Sequence, residues 1–182
     1  ILRDAPHRAQ GVDGKALVCG GGAIEVPSDP MLSPLDGLTL ECWVKTEQAG
    51  QHDKWFMNRV FSGGAATGYA LGLSQGKPSF RLPWTEWSHA LTAETPLPTG
   101  RWVHLAATFD GQTMRIYVDG VLRGHLARPG RVNPNSFNLV LGNFAVGHPS
   151  HFVGLLDEVR LYRRPLEPDE VRHSTQQFHP TR

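Results

Sequence analysis

The segment RWVHLAATFDGQTMRIYVDGVLRGHLA, at residues 101–127, constrains the fold of this chain more than any other stretch. Its apolar and polar residues alternate in short runs, and two Asp-Gly pairs separate these runs. Alternation of this kind is typical of β-strands buried on one face, and Asp-Gly between such strands is the strongest short-range signal for a hairpin. The segment therefore predicts a three-stranded antiparallel meander.

The rest of the chain repeats this pattern of short alternating runs between turn residues. The run LTLECWVK (Leu38–Lys45) places its residues 38, 40, 42 and 44 on one strand face and the other four on the opposite face. Further strands are predicted at Lys15–Cys19, Trp55–Phe61, Tyr69–Ser74, Phe137–Gly142 and Phe152–Tyr162. About ten strands with mostly local connections must each bury one face, which predicts an all-β fold with two packed antiparallel sheets.

Near the end of the chain the pattern becomes helical. Pro168 suits a first helical position, and Asp169 and Glu170 follow where a helix N-terminus favours acids. Glu167 is an indifferent cap, so we expect a short C-terminal helical turn of one or two turns.

Length and composition limit the class of protein. A chain of 182 residues fits one domain, which we expect to span residues 1–182 with its core at about 11–171. The net charge is +1 and the basic residues are scattered, which argues against nucleic-acid binding. The long apolar run needed for membrane insertion is missing, and ILRDAPHRAQ at the start lacks the apolar region of a signal peptide. We expect Cys19 and Cys42 to be buried thiols rather than a disulfide.

Five motifs in a fixed order give the chain a specific resemblance. They are GVDGKAL (Gly11–Leu17), LTLECWVK, GRWVHLAATFDGQTMRIYVDG (Gly100–Gly120), LVLGN (Leu139–Asn143) and GLLDEVRLYRRPLEPDEV (Gly154–Val171). In this order they resemble laminin G-like jelly-roll domains of the concanavalin A-like lectin and glucanase superfamily. The Trp-x-His strand followed by two Asp-Gly pairs is the most distinctive part.

The resemblance implies a curved two-sheet jelly roll that is commonly secreted, periplasmic or on the cell surface, and often part of a larger multidomain chain. Such domains usually bind glycans or proteins rather than cleave bonds, and many hold calcium. The chain departs from the family twice. It has GGGAIEVP (Gly20–Pro27) where the family often has an acid-aromatic pair, which removes a plausible metal or surface contact. It also has Arg164-Pro165 where the family often has Arg-Ala, a change that we expect to be cosmetic.

The adjacent acids Asp157 and Glu158 raise the possibility of a catalytic pair. Neighbouring residues of a strand point to opposite faces, so we expect Asp157 beside Leu155, Val159 and Leu161, and Glu158 beside Leu156, Arg160 and Tyr162. Two carboxyls that cleave a glycosidic bond must face one cleft, so we expect no catalysis by this pair. An acid on an apolar face needs donors or a cation. We expect Asp157 to accept backbone hydrogen bonds, with Ca²⁺ as the alternative.

The best candidate for ligand binding is the segment RLPWTEWSHALTAE at residues 81–94. Trp84 and Trp87 could stack on the C–H face of a sugar, and Arg81, Glu86 and His89 could bind its hydroxyls. The alternative, given even weight, is that one or both tryptophans cover the end of the sandwich.

Two further groups favour structural roles. Trp55, with Asn58 and Arg59 beside it, could line the same face, but packing is the preferred interpretation. His104 is expected to be a buried, hydrogen-bonded structural histidine.

The sequence thus predicts a non-catalytic recognition module that binds a glycan or polysaccharide. A protein-protein adhesion module is the alternative, and a glucanase or polysaccharide lyase of the same fold is a distant third.

Overall fold

We describe the fold from a computed structural model, which describes residues 8–20, 22–50, 52–60, 67–83, 90–144 and 151–178. These ranges contain thirteen β-strands, one short 3-10 helix at Pro30–Leu32 and one α-helix. The strands are β1 (Arg8–Gln10), β2 (Lys15–Gly20), β3 (Ile24–Val26), β4 (Leu38–Lys45), β5 (Lys54–Asn58), β6 (Ala70–Ser74), β7 (Lys77–Arg81), β8 (Ala90–Thr92), β9 (Val103–Phe109), β10 (Thr113–Val118), β11 (Val121–Ala127), β12 (Leu139–Leu141) and β13 (Val153–Tyr162). The helix is α1 (Pro168–Gln177).

The strands form two sheets, which confirms the predicted antiparallel sandwich. The seven-stranded sheet has the order β1-β2-β13-β4-β9-β10-β11, and the six-stranded sheet has the order β3-β12-β5-β6-β7-β8. All strand pairs are antiparallel. The predicted meander is present as β9, β10 and β11, with a positive φ at both Asp-Gly glycines, Gly111 and Gly120.

The main core lies between the two sheets. The β4 residues Leu38, Leu40, Cys42 and Val44 all point into it, as their alternation predicted. Cys19 belongs to the same core, and both cysteines are free thiols. Burial raises the pKa of the Cys19 thiol to about 12 and also raises that of Cys42.

Part of the outer face of the seven-stranded sheet is buried as well, because α1 and the residues before it pack on it. Leu166 and Val171 pack against Ala106 and Tyr117 of the meander. Beside them, Trp43 and Trp102 form a separate buried cluster with Ala16. These two tryptophans therefore fill the outer layer and not the main core between the sheets.

A β-bulge in β13 contradicts part of the predicted alternation. Asp157 pairs with Trp43, but the next paired residue is Arg160, opposite Glu41, and Glu158 between them has a φ of +47°. One extra residue reverses the alternation after it. Leu155 and Asp157 do share the outer side, but Val159 and Leu161 turn to the main core, so the predicted grouping of those two with Asp157 is wrong.

The predicted C-terminal helix begins at Pro168 and continues for ten residues, longer than the one or two turns expected. The Glu170 carboxylate accepts a hydrogen bond from the Glu167 N–H at 2.9 Å, which supplies the N-terminal contact that Glu167 was not expected to make. Among the described helices none is long and apolar enough to cross a membrane.

Candidate functional site

The end of the six-stranded sheet near Arg81 is the place where the predicted binding segment is attached. Asn58, Ala70, Arg81 and Ala90 pair in a row across β5, β6, β7 and β8. The connections from β5 to β6 and from β7 to β8 both leave the sheet at this row. We call this region the loop end of the six-stranded sheet.

Arg81 is the predicted site residue that the structure describes in detail. Its Nη2 donates to Asp53 Oδ2 at 2.6 Å, and its guanidinium lies 4.8 Å from the centre of the Trp55 ring. An ion pair on one side and an aromatic face on the other hold a planar guanidinium in one orientation. Arg81 is therefore a pre-positioned set of hydrogen-bond donors on the outer face of this sheet.

Trp55 packs as preferred in the sequence analysis. It is only 3% exposed and contacts Val60, Ala70 and Phe144, whose ring centre is 6.1 Å away. At the loop end its ring packs against the Arg81 guanidinium, and it is too buried to stack on a ligand.

The other four predicted site residues, Trp84, Glu86, Trp87 and His89, lie outside the described residues, so their roles stay predictions. The residues that flank them are well fixed. Leu82 and Leu91 are buried in the main core, and Arg81 pairs with Ala90. The segment thus begins and ends on neighbouring strands beside Arg81.

Two residues at this end were not found from the sequence. Asp53 holds Arg81 from 28 positions away, and such long-range ion pairs leave no local signal. Ser79, in the strand that carries Arg81, is fully buried and its Oγ has no hydrogen-bond partner within the described ranges.

Arg59 is a structural residue. Its buried guanidinium donates five hydrogen bonds, and its acceptors lie in the segments that flank β5 in space. They are Leu32 O (2.7 Å), Ser33 Oγ (2.7 Å), Ser28 Oγ (3.1 Å), Asn135 O (2.9 Å) and Phe137 O (2.8 Å). The side chain therefore fastens residues 28–33 and 135–137 to the strand, as the structural interpretation predicted.

Asp157 also makes the contacts expected of a structural acid. Its Oδ2 accepts from the N–H groups of Val12 and Asp13 at 2.8 and 3.2 Å, and its Oδ1 accepts from the Glu158 N–H at 2.9 Å. The carboxylate thus joins the β1–β2 turn to the bulge of β13. Gly11 makes this approach possible, because a Cβ at that position would lie 2.1 Å from Asp157 Oδ2.

This environment of Asp157 does not fit a calcium ligand. Ca²⁺ is surrounded by oxygen atoms, whereas three N–H donors point at this carboxylate. In the part of the chain that the structure describes, no group of three His, Cys, Asp or Glu residues could hold a metal. A calcium requirement for ligand binding stays a prediction.

A buried polar cluster lies further along the outer face of the seven-stranded sheet. Glu41 Oε1 contacts Arg160 Nη1 at 3.0 Å and His104 Nε2 at 3.4 Å, and Arg160 also pairs with Glu158. Burial would raise the pKa of Glu41, but His104 and Arg160 outweigh it and hold that pKa below its ordinary value. His104 is fully buried, as predicted, and its ring stacks edge-on against Trp43 with ring centres 5.3 Å apart. Its ring nitrogens make no hydrogen bond with the described residues, which differs from our expectation.

These contacts occupy both adjacent acids of β13. Asp157 accepts three N–H groups and Glu158 pairs with Arg160. The bulge at Glu158 breaks the strand alternation on which the sequence argument depended. The argument against a catalytic pair therefore depends on these contacts, which already engage both carboxylates.

Comparison with known proteins gives the same fold and one informative relative. Domain 4 of AbnA, a GH43 extracellular arabinanase from Geobacillus stearothermophilus solved in complex with arabinotriose, is 26% identical with a TM-score of 0.73. The match covers 94% of this chain and 82% of that domain structure.

Other solved structures share the fold at lower identity. The binding domain of Paraclostridial Mosquitocidal Protein 1 has a TM-score of 0.77 at 13% identity. The match covers 97% of this chain but 47% of that one, so this chain spans about half its length. The SAP-like pentraxin of Limulus polyphemus has a TM-score of 0.60 at 15% identity, with coverage of 84% and 81%.

Sequence comparison identifies the family. None of the curated proteins matches the chain in sequence. A laminin G family model, described as Concanavalin A-like lectin/glucanases superfamily, matches residues 19–172. With its two antiparallel sheets and this match over most of its length, the chain belongs to the concanavalin A-like lectin/glucanases superfamily.

Proposed function

We propose that this chain is a non-catalytic carbohydrate-binding module that recognises a glycan at the loop end of the six-stranded sheet. The observation that carries the proposal is its 26% identity to an arabinanase domain solved with arabinotriose. The pre-positioned guanidinium of Arg81 supports the same location.

In the proposed mechanism, the ring of a sugar stacks on Trp84 or Trp87 through its C–H face. Arg81, Glu86 and His89 bind the hydroxyls around the ring. Arg81 keeps its orientation through Asp53 and Trp55, so little side-chain entropy is lost when the sugar binds. A site of this kind binds each sugar weakly and works through repeated contacts or by holding an attached enzyme near its polysaccharide.

We further propose that the module acts outside the cytoplasm, as part of a larger exported or surface protein. The extracellular arabinanase that contains the 26% identical domain supports this location. The same comparison favours a binding role over a glucanase or lyase. We therefore expect the protein to release no reducing ends when it is incubated with mixed polysaccharides.

A glycan array with the purified domain, in calcium and again in EDTA, tests the proposal. We expect binding to a defined sugar, and the double variant Trp84→Ala/Trp87→Ala should lose it at least tenfold. Phe137→Ala is the matched control, because Phe137 is an aromatic side chain that is 43% exposed and has no place in the proposed site. Unchanged binding by the double variant would contradict the proposal, and binding lost only in EDTA would establish a calcium requirement.

A protein-interaction module is the second candidate, and β11 is the observation that favours it. This strand is an edge of the seven-stranded sheet and exposes Val121, Leu122 and Leu126 to between 36% and 49%. The Glu94 N–H already donates to Arg123 O of this strand at 3.0 Å, so a partner polypeptide would bind mainly the exposed apolar side chains. Two results together would favour this candidate. The domain would bind no glycan on the array, and it would bind a partner protein that the Leu122→Lys variant no longer binds.

A further inference from the structure

A groove lies on the outer side of the seven-stranded sheet, on the face opposite to the proposed glycan site. It has a volume of about 430 Å³, within the range of small-molecule sites. It is lined by Tyr162, Arg164, Leu166, Asp169, Glu170, His173 and Ser174. The end of β13 and the first turns of α1 thus form its walls.

The apolar part of the groove is held in place by packing. Tyr162 and Leu166 belong to a cluster with Ala106, Tyr117 and Val171, which joins the helix to the sheet. The Leu166 N–H donates to Thr39 Oγ1 at 2.8 Å, which fixes the chain where it crosses the sheet. The half-buried ring of Tyr162, backed by the buried Leu166 side chain, offers a surface for the C–H face of a sugar ring.

The polar part of the groove is a fixed pair of opposite charges. Arg164 Nη1 and Nη2 donate to the Glu170 carboxylate at 2.7 and 2.6 Å, and Glu170 also accepts from the Glu167 N–H. The hydrogen bonds from Arg164, with that backbone contact, lower the pKa of Glu170 to about 2, so the pair stays ionised at neutral pH. Such a pair presents donors and acceptors side by side.

The charges around the groove balance, which narrows the class of ligand. Arg164 is paired with Glu170, and Asp169 is paired with Arg172. A charged ligand would have to compete with one of these ion pairs for its partner. A neutral polyol can instead donate to Glu170 and accept from Arg164 while both pairs remain intact.

We infer that this groove is a second carbohydrate-binding site, which takes the ring of an uncharged sugar on Tyr162 and its hydroxyls on the Arg164–Glu170 pair. The inference rests on the proposed function, since it assumes a glycan-binding module. Because the two sites lie on opposite sheets, one molecule can link two polysaccharide strands. Where both strands belong to one polysaccharide network, binding at one site raises the effective concentration of sugar at the other.

The test is an NMR titration of the protein with arabinotriose, xylotriose and maltotriose, following backbone amides at both places. We expect at least one sugar to shift the amides of His173 and Ser174 in a saturable manner. Arg164→Gln should weaken this response at least tenfold while leaving the shifts of Ser79–Leu82 unchanged. Arg131→Gln is the matched control, since Arg131 is also an exposed, ion-paired arginine, and neither it nor its partner Asp36 lines the groove.

The outcomes separate this inference from the proposed function. Shifts at Ser79–Leu82 without shifts at His173 and Ser174 overturn the groove site and leave the first site standing. Shifts at the helix alone support the groove and contradict the Arg81 site. If neither set responds to any of the three sugars, both fall together. An equal loss in Arg164→Gln and Arg131→Gln would also overturn the groove site, because of these two arginines only Arg164 lines the groove.

Discussion

Replacement of Asp157 should destabilise the fold by an amount that its contacts allow us to work out. The carboxylate is 7% exposed and accepts three backbone N–H groups. Hydrogen bonds to a charged group contribute roughly 1.5–3 kcal/mol each. The amides of Val12 and Asp13 lie in a partly exposed turn, so water replaces much of what they lose. We therefore expect Asp157→Ala to lower the free energy of unfolding by about 3 kcal/mol.

The isosteric variant refines this prediction. In Asp157→Asn the side-chain oxygen can still accept from Val12 and Asp13, but the amide NH₂ then faces the N–H of Glu158. One contact of three becomes unfavourable, so we expect a loss of about 1.5 kcal/mol, half that of the alanine variant.

Urea unfolding of both variants beside the wild type measures these losses. Asp36→Ala and Asp36→Asn are matched controls, because the Asp36 ion pair with Arg131 is exposed and should contribute little to stability. A loss below about 0.5 kcal/mol in Asp157→Ala would refute the structural role. Calcium that stabilises the wild type but not Asp157→Ala would instead make Asp157 a metal ligand.

Three further predictions concern buried groups. Arg59→Met should lower the free energy of unfolding by at least about 3 kcal/mol in urea, because it removes the five hydrogen bonds of a buried guanidinium; a cost under about 1 kcal/mol would contradict this account. The folded-state pKa of Glu41 is depressed, so its contribution is present above the unfolded pKa and is lost as pH falls through the folded pKa. The melting temperature of Glu41→Gln should therefore fall less on acidification than that of the wild type, and parallel curves would count against the prediction. Cys19 and Cys42 should not react with a thiol reagent at about pH 8 until urea unfolds the protein, because burial raises both thiol pKa values. Rapid labelling of the native protein would contradict this prediction.

The sequence predicted those strands in which local pattern and burial agree. β4 and the meander were predicted because alternation runs through them and turn residues with the right backbone preference bound them. The strands β1, β3 and β8 have three residues each, too few for alternation to be recognised.

The bulge in β13 could not be predicted because Glu158 has no preference for a positive φ. The conformation is stabilised by a contact across 145 positions, in which Asp157 joins the turn at Val12. In the same way, nothing local in β9 and β10 indicates that α1 packs on Ala106 and Tyr117 of their outer face. Tertiary contacts therefore decided both features.

The candidate site shows the same limit. Arg81 was named from its aromatic surroundings, but its fixed orientation depends on Asp53 and on the ring of Trp55 in another strand. The groove beside α1 was not predicted, because it exists only once the helix packs on the sheet.

The way in which Arg59 fastens two loops bears on how this scaffold can diversify. Three of its five acceptors are main-chain carbonyls, of Leu32, Asn135 and Phe137. A carbonyl is present whatever side chain a residue carries. Side chains in these loops can therefore be substituted while the three hydrogen bonds from Arg59 to the main chain remain. One buried arginine thus holds the backbone of both loops in place while their side chains vary. The loops can therefore change in sequence to bind new ligands without changes in the core.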